Sequence, residues 1–278
     1  MPTIAELLRQ GRQRLQGASP TPELDAEVLL AHVLGKPRSH LRAWPEQEPE
    51  PAQIRRYLEL LERRRHREPV AYLTGQREFW SHTFEVGPGV LIPRPETESL
   101  VERALHRIHP EAEWRLADAG TGSGALAVTL QRERPRCFVL ATDRSFTALQ
   151  LARRNARRLG ARIALIQADW LAPVATASLD LIVSNPPYIP AGDPHLRGEI
   201  RFEPRQALVA GIDGLAAYRT LIPQARRVLR ASGWLLLEHG HDQHEPVAEL
   251  LKQAGFRNIS GHPDLQGHIR VTEAQRSP

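Results

Sequence analysis

The chain has 278 residues, a formal net charge of +5 and a pI of about 9.9, with 41% hydrophobic and 25% charged residues. That length allows two domains, or one large domain with an appendage, and the composition is ordinary for a globular protein. A single cysteine, Cys137, excludes a disulfide framework and a cysteine metal cluster and fits a reducing cytoplasm, so no metal site is expected.

No apolar run reaches the ~18 residues that span a bilayer. The opening Met1-Pro2-Thr3-Ile4-Ala5-Glu6 lacks the charged and apolar regions of a signal peptide. The positive charge is nearly all arginine and admits a nucleic-acid partner. Arginines alternate with acidic residues on helices, however, so Arg63-Arg64-Arg65, Arg153-Arg154 and Arg157-Arg158 read as solvated helix faces.

Residues 1–82 read as a small helical domain. Thr3-Ile4-Ala5-Glu6 has capping-box spacing before Ile4, Leu7, Leu8 and Leu15. Thr21-Pro22-Glu23 opens a second helix with a cap and a proline at its first position, and Gly35 ends it. After a polar connection over 44–51, Ile54, Leu58 and Leu61 stripe a third helix, and Pro69 to Gly75 suggests a further short turn. So thin a core suits docking better than catalysis. Phe84 to Pro93 carries apolar residues on both sides of Gly87-Pro88-Gly89, which predicts a hairpin linker over 83–94. Phe79 and Trp80, just before it, are packing residues or line a groove.

From Trp114 onward, strand and helix patterns alternate, which predicts a doubly wound parallel α/β sheet. Strands are expected at 114–117, 138–142, 163–167, 179–183 and 234–238, with two more near 258–260 and 268–272. Asp118-Ala119-Gly120-Thr121-Gly122-Ser123-Gly124 follows the first of these and opens a helix. Its third glycine comes one position too early for G-x-G-x-x-G, and no Lys-Ser/Thr pair follows, so a nucleoside fits better than a phosphate cradle. Asp143 stands 19 residues beyond Gly124, the spacing of a ribose-binding carboxylate; alternatively it caps a helix. Asp169-Trp170 closes the third strand, the indole placed to stack a base or to fill the core.

Asn185-Pro186-Pro187-Tyr188 closes the fourth strand. Two prolines end the strand and remove two N–H donors, while Asn185 adds an acceptor and Tyr188 a ring with a polar tip. Such a loop accepts a planar group bearing NH2, an exocyclic base amine or a side-chain amide. A bound adenosine beside it implies S-adenosyl-L-methionine and N-methylation. Asn185 and the Pro186 carbonyl would each accept one hydrogen of that NH2 group, with Pro186, Pro187 and Tyr188 flanking its plane.

The glycine loop, Asp143, Trp170 and the Asn185–Tyr188 loop resemble, in order and spacing, the bacterial release-factor glutamine methyltransferases of the HemK/PrmC type. So do Ala71-Tyr72-Leu73-Thr74-Gly75, Leu91-Ile92-Pro93-Arg94-Pro95-Glu96-Thr97-Glu98, Glu203-Pro204-Arg205 and Asp213-Gly214-Leu215. The Pro93–Glu98 stretch differs from the Pro-Arg-Ser of the ribosomal-protein branch. His239 and Gly267-His268-Ile269-Arg270 depart from the family pattern.

The resemblance implies a Rossmann-like, seven-stranded class I methyltransferase domain over 95–278. Gly120, Thr121, Gly122, Ser123, Gly124, Asp143, Trp170 and Asn185 would bind the cofactor, and Asn185, Pro186 and Tyr188 would act in catalysis. It further implies methylation of the Gly-Gly-Gln glutamine of class-I peptide chain release factors in the cytoplasm, with no membrane or direct nucleic-acid substrate. A nucleic-acid adenine or guanine methyltransferase is the first rival, though residues 1–82 are nearly neutral. A catalytically silent binding subunit is the second, against which the intact loop speaks.

Overall fold

A computed structural model describes residues 1–264 and 266–278. By contacts the chain forms two units: Met1–Gln76 with His195–Phe202, and Arg77–Pro194 with Glu203–Pro278.

The first unit is helical. The α1 helix (Ile4–Leu15) starts at the expected capping box, in which Thr3 and Glu6 satisfy each other's backbone N–H. The α2 helix (Pro22–Leu34) has Pro22 in its first turn and Gly35 as a left-handed C-cap. Thr21 makes no side-chain cap bond, contrary to expectation; its hydroxyl instead donates to Asp25 Oδ1 at 3.1 Å. Short α3 (Arg38–Ala43), α4 (Pro51–Arg65) and α5 (Val70–Thr74) follow. Ile4, Leu7, Leu29, Leu30, Tyr57 and Leu61 fill the core between them.

One arginine expected in solvent lies inside this unit. Arg64 is 2% exposed; its Nε donates to Asp25 Oδ2 at 2.6 Å and its Nη2 to Glu199 Oε1 at 2.6 Å. Arg63 and Arg65 do face solvent, each beside a glutamate of its own neighbourhood. The segment carrying Glu199 comes from far along the chain, which no local pattern reveals.

The second unit opens with a hairpin, placed earlier than expected. Its strands are β1 (Gln76–Phe79) and β2 (His82–Glu85), not the residues around Gly87-Pro88-Gly89. Trp80 (φ 51°) and Ser81 (φ 56°) form the two-residue turn, both left-handed as the twist of a tight hairpin requires. Without an Asn-Gly or Asp-Gly signal that turn is invisible in sequence. Phe79 and Phe84 are buried and meet edge to face at 6.1 Å, so they are packing residues. Gly87-Pro88-Gly89 makes a turn closed by Val90 N–H to the Gly87 carbonyl.

The rest is a seven-stranded sheet: β3 (Arg115–Ala119), β4 (Phe138–Asp143), β5 (Ile163–Gln167), β6 (Leu179–Ser184), β7 (Leu229–Glu238), β8 (Phe256–Pro263) and β9 (Ile269–Arg276). The strand order is β5-β4-β3-β6-β7-β9-β8, parallel except for β9, which runs antiparallel to both neighbours. The expected strands all form, though β7 begins at Leu229 rather than Trp234, β9 runs on to Arg276, and Trp114 and His268 fall outside their strands. Helices α6 (Glu98–Arg107), α7 (Ala125–Glu133) and α8 (Phe146–Arg158) pack with one apolar cluster, and α9 (Ala216–Val228) and α10 (His244–Gln253) with another. The chain steps outward from β3 through β4 and β5, then returns to β6 on the other side. That reversal opens a crevice at the carboxyl ends of β3 and β6, where doubly wound sheets bind ligands.

His239, which departs from the family pattern, is fully buried and satisfied. Its Nδ1 lies 2.8 Å from the Gly240 carbonyl and its Nε2 2.7 Å from Thr272 Oγ1. Burial lowers its pKa to about 4, so it packs as a neutral ring.

Candidate active site

The glycine loop leaves β3 in left-handed conformations at Gly120 (φ 82°), Gly122 (φ 55°) and Gly124 (φ 84°). Two of these also have no room for a side chain. A Cβ on Gly124 would lie 3.0 Å from that of Ala152, and one on Gly120 would lie 3.1 Å from the Trp170 ring. The Gly120 and Thr121 N–H groups donate to the Thr142 carbonyl on β4. The Gly122 N–H donates to Asp143 Oδ2 at 2.9 Å, and the Ser145 N–H to Asp143 Oδ1 at 2.8 Å. Asp143 therefore pins the loop and starts α8, and it also lines the crevice. Burial raises its pKa against those backbone donors.

Asp118 lies beneath the loop, wholly buried. Its Oδ2 accepts from the Thr121 hydroxyl at 2.6 Å and the Ala127 N–H at 3.1 Å, and burial raises its pKa to about 7. The loop is thus held from below by one carboxyl and from the side by another.

On the neighbouring strand, Ser184 donates to the Ala119 carbonyl at 2.6 Å, which ties the ends of β6 and β3 together. Asn185 comes next, and its Nδ2 donates to Thr97 Oγ1 at 3.0 Å. The Tyr188 carbonyl accepts from Gln243 Nε2 at 2.9 Å, and the Tyr188 ring leans on the apolar cluster under α9. Gly214 approaches so closely that a Cβ there would sit 2.4 Å from the Tyr188 carbonyl oxygen.

Both loops wall one cavity of about 370 Å³, within the range of small-molecule sites. Gly120 to Ser123, Asp143, Trp170, Asn185 and Pro187 line it together. Gly124, Pro186 and Tyr188 are not part of its wall: Gly124 faces Ala152, Pro186 is buried, and Tyr188 packs on the core. Trp170 holds a left-handed backbone (φ 53°) and lies against Gly120, so the indole serves both the wall and the packing.

Two curated relatives match almost the whole chain. A release factor glutamine methyltransferase of Salmonella typhimurium is 46% identical over 94% of each chain. One from Vibrio cholerae is 46% identical over 98% of this chain and 96% of its own. This chain belongs to the release factor glutamine methyltransferase family. Residues 6–75 match the profile of the PrmC N-terminal domain, and residues 97–199 that of the methyltransferase small domain. The sheet is a class I methyltransferase sheet; a methyltransferase from Pyrococcus furiosus aligns at a TM-score of 0.53 and 18% identity, covering 70% of this chain and 89% of that one.

Within this family member, the stretch Pro93–Glu98 has structural work that sequence reasoning left unassigned. Pro93, Arg94 and Thr97 line the cavity. Arg94 pairs with Glu203, whose other oxygen accepts the Ile92 N–H at 2.9 Å. Glu98 accepts the Trp80 N–H at 2.8 Å. Arg144 and Gln206, joined at 2.9 Å, also line the cavity and were not foreseen. Their one sequence clue was position: Arg144 follows Asp143, and Gln206 follows the Glu203-Pro204-Arg205 motif.

Proposed function

We propose that this chain transfers a methyl group to the side-chain amide nitrogen of the glutamine in the Gly-Gly-Gln motif of class-I peptide chain release factors. The observation that carries the reading is that the glycine loop with Asp143 and the Asn185–Pro187 loop line one cavity. A nucleoside site and an amide-accepting loop are thereby in reach of each other.

The cavity suits S-adenosyl-L-methionine: Gly120 and Gly122 let backbone approach a ligand, and the Asp143 carboxylate keeps acceptor capacity for ribose hydroxyls. The cofactor supplies an electrophilic methyl group on a sulfonium. What the chain supplies is position and polarity. Asn185 Oδ1, its NH2 already given to Thr97, accepts one hydrogen of the substrate amide. That contact fixes the nitrogen in the crevice and favours the positive charge it gains. Pre-organised approach can supply ~7–11 kcal/mol of barrier reduction, and the proton that the nitrogen sheds once it has gained the methyl group passes to water. Tyr188, anchored through its carbonyl and resting on the core, keeps the loop rigid.

The helical unit, which matches the PrmC N-terminal domain profile, docks the protein substrate in this reading. No helix among the described residues is long and apolar enough to cross a membrane. The test is incubation with methyl-labelled S-adenosyl-L-methionine and, separately, a class-I release factor, DNA and ribosomes. Label on the Gly-Gly-Gln glutamine, located by peptide mass spectrometry, is expected. Label on DNA or a ribosomal protein, with none on the release factor, would overturn it.

A further inference from the structure

We propose that Gln243 is a positioning residue for the reaction, its side-chain amide clamping the substrate loop, through the Tyr188 carbonyl, to the turn that follows β7. The inference rests on the reading of Asn185–Tyr188 as the amide-accepting loop and names what holds that loop in place.

A loop with two prolines is short of donors with which to hold itself. Ser184 ties its start to the Ala119 carbonyl. Beyond Tyr188, the Ile189 N–H donates to the Leu208 carbonyl, and the Ile189 carbonyl accepts the Ala210 N–H. In between, Pro186 and Pro187 have no N–H, so a carbonyl there is fixed only by a donor from elsewhere. Gln243 is that donor: its Nε2 reaches the Tyr188 carbonyl at 2.9 Å, across 55 positions of sequence. Its Oε1 accepts the Gly240 N–H at 3.0 Å. A backbone carbonyl only accepts and a backbone N–H only donates, so these two partners leave the amide a single orientation. Gly240 is fixed in turn, its carbonyl accepting from His239 Nδ1 at 2.8 Å and from the Gln243 N–H at 2.9 Å.

Two features set this side chain apart from ordinary packing. Gln243 stands at the N-cap of α10, where a polar side chain usually serves the helix, yet it makes no cap bond. It is only 7% exposed and is turned to the loop instead. Gly214, buried and left-handed at φ 75°, lies over the clamp. A Cβ there would sit 2.4 Å from the Tyr188 oxygen and 2.6 Å from Gln243 Nε2, so only glycine lets the chain pass. The Asp213-Gly214-Leu215 motif, which the cofactor and substrate loops left unexplained, thus covers the bond between Gln243 and Tyr188. Releasing Tyr188 frees Asn185, three positions earlier, and a misplacement of about 1 Å costs about 100-fold in rate.

The experiment compares Gln243→Leu, Gln243→Glu and Asn185→Ala with the parent, all as the full chain. Readouts are release-factor methylation kinetics over a range of pH, cofactor affinity by calorimetry and thermal unfolding. Gln243→Leu removes both bonds at similar size. Its kcat is expected to fall at least about tenfold, with cofactor affinity nearly unchanged because the glycine loop and Asp143 are untouched. Gln243→Glu keeps the shape and the acceptor for Gly240. Protonated, its carboxyl donates to the Tyr188 carbonyl; ionised, it sets two oxygens against each other. Burial raises a carboxyl pKa, so kcat relative to the parent should fall as pH rises from about 6 to about 9. Taking that ratio at each pH cancels the groups both proteins share: Glu238 and His239 on β7, Asp242 and His244 on either side, Asp213 beside Gly214, and Arg270 on β9. A role in stability alone would lower the unfolding midpoint without the trend in turnover. The proposal is overturned if Gln243→Leu turns over like the parent beside an impaired Asn185→Ala, if cofactor affinity falls in step with kcat, or if the Gln243→Glu ratio is flat with pH. Parent-like turnover in Asn185→Ala would instead remove the reading of the loop, and the role of Gln243 with it. Should Gln243→Leu not fold, the pH trend of Gln243→Glu decides alone.

Discussion

Glu203 accepts from Arg94, 109 positions earlier in the chain, with its carboxylate side chain only 2% exposed. The same carboxylate takes the Ile92 N–H, so one residue fastens the segment that walls the cavity from Leu91 to Arg94. Glu203→Gln keeps the shape and loses the charge against Arg94. Because Arg94 is 32% exposed, the expected loss of stability is about 1–3 kcal/mol. Cofactor affinity should fall as well, measured by calorimetry beside urea unfolding. Parent-like values in both would mean that the pair does not hold the wall.

Asp143 bears two backbone N–H groups as well as the proposed ribose contact. We predict that Asp143→Ala weakens cofactor binding by roughly 1.5–3 kcal/mol, the range for hydrogen bonds to a charged group. Amide exchange of Gly122 and Ser145 should speed up in the same variant. Undiminished affinity in a folded protein would take Asp143 out of the binding site.

Asn185→Ala removes the side-chain amide acceptor of its loop. Loss of one pre-organised transition-state contact costs about 100- to 1,000-fold in turnover. Asn185→Asp keeps an acceptor but removes the NH2 that Thr97 receives, and it adds a negative charge in the cavity. The Asp variant is expected to fall between Ala and parent in single-turnover assays. Equal, parent-like rates for both would remove the amide-recognition mechanism.

Burial lifts Asp118 from 3.8 to about 7, helped by the charge of Asp143 and opposed by its bonds to Thr121 and Ala127. Over that window the folded chain keeps a proton that the unfolded chain has released. The stability this group contributes is therefore complete below 3.8 and is lost as pH rises through about 7. Asp118→Asn carries no such proton. The stability of the variant relative to the parent should therefore rise with pH across the window, measured by urea unfolding at a series of pH values. A difference independent of pH would contradict the assignment.

In the helical unit, Arg64 loses both carboxylate partners if truncated. Breaking a buried ion pair by removing one partner costs about 3–5 kcal/mol. Arg64→Ala should therefore lower the unfolding midpoint far more than Arg65→Ala, whose partner is exposed. Similar midpoints for the two variants would show that the buried cluster carries no net stability.

Much of this architecture follows from residues close together in sequence. The capping box at Thr3, the left-handed Gly35 and the period of each strand are local, because backbone conformation and side-chain alternation are decided within a few residues. The loops at Gly120 and Asn185 were legible for the same reason, and the doubly wound sheet brings both to one crevice, as strand alternation implies.

What only the tertiary structure decided depends on partners far apart in the chain. The hairpin turn at Trp80 and Ser81 has two left-handed residues that no turn signal announces. Arg64 looks like its solvated neighbours until Asp25 and Glu199 surround it. Thr97 reads as one letter of a motif until β6 brings Asn185 beside it. A hydroxyl or guanidinium has the same local pattern in water or in the core. Its role is set by which charges the fold buries with it, and that is decided by long-range packing rather than local periodicity.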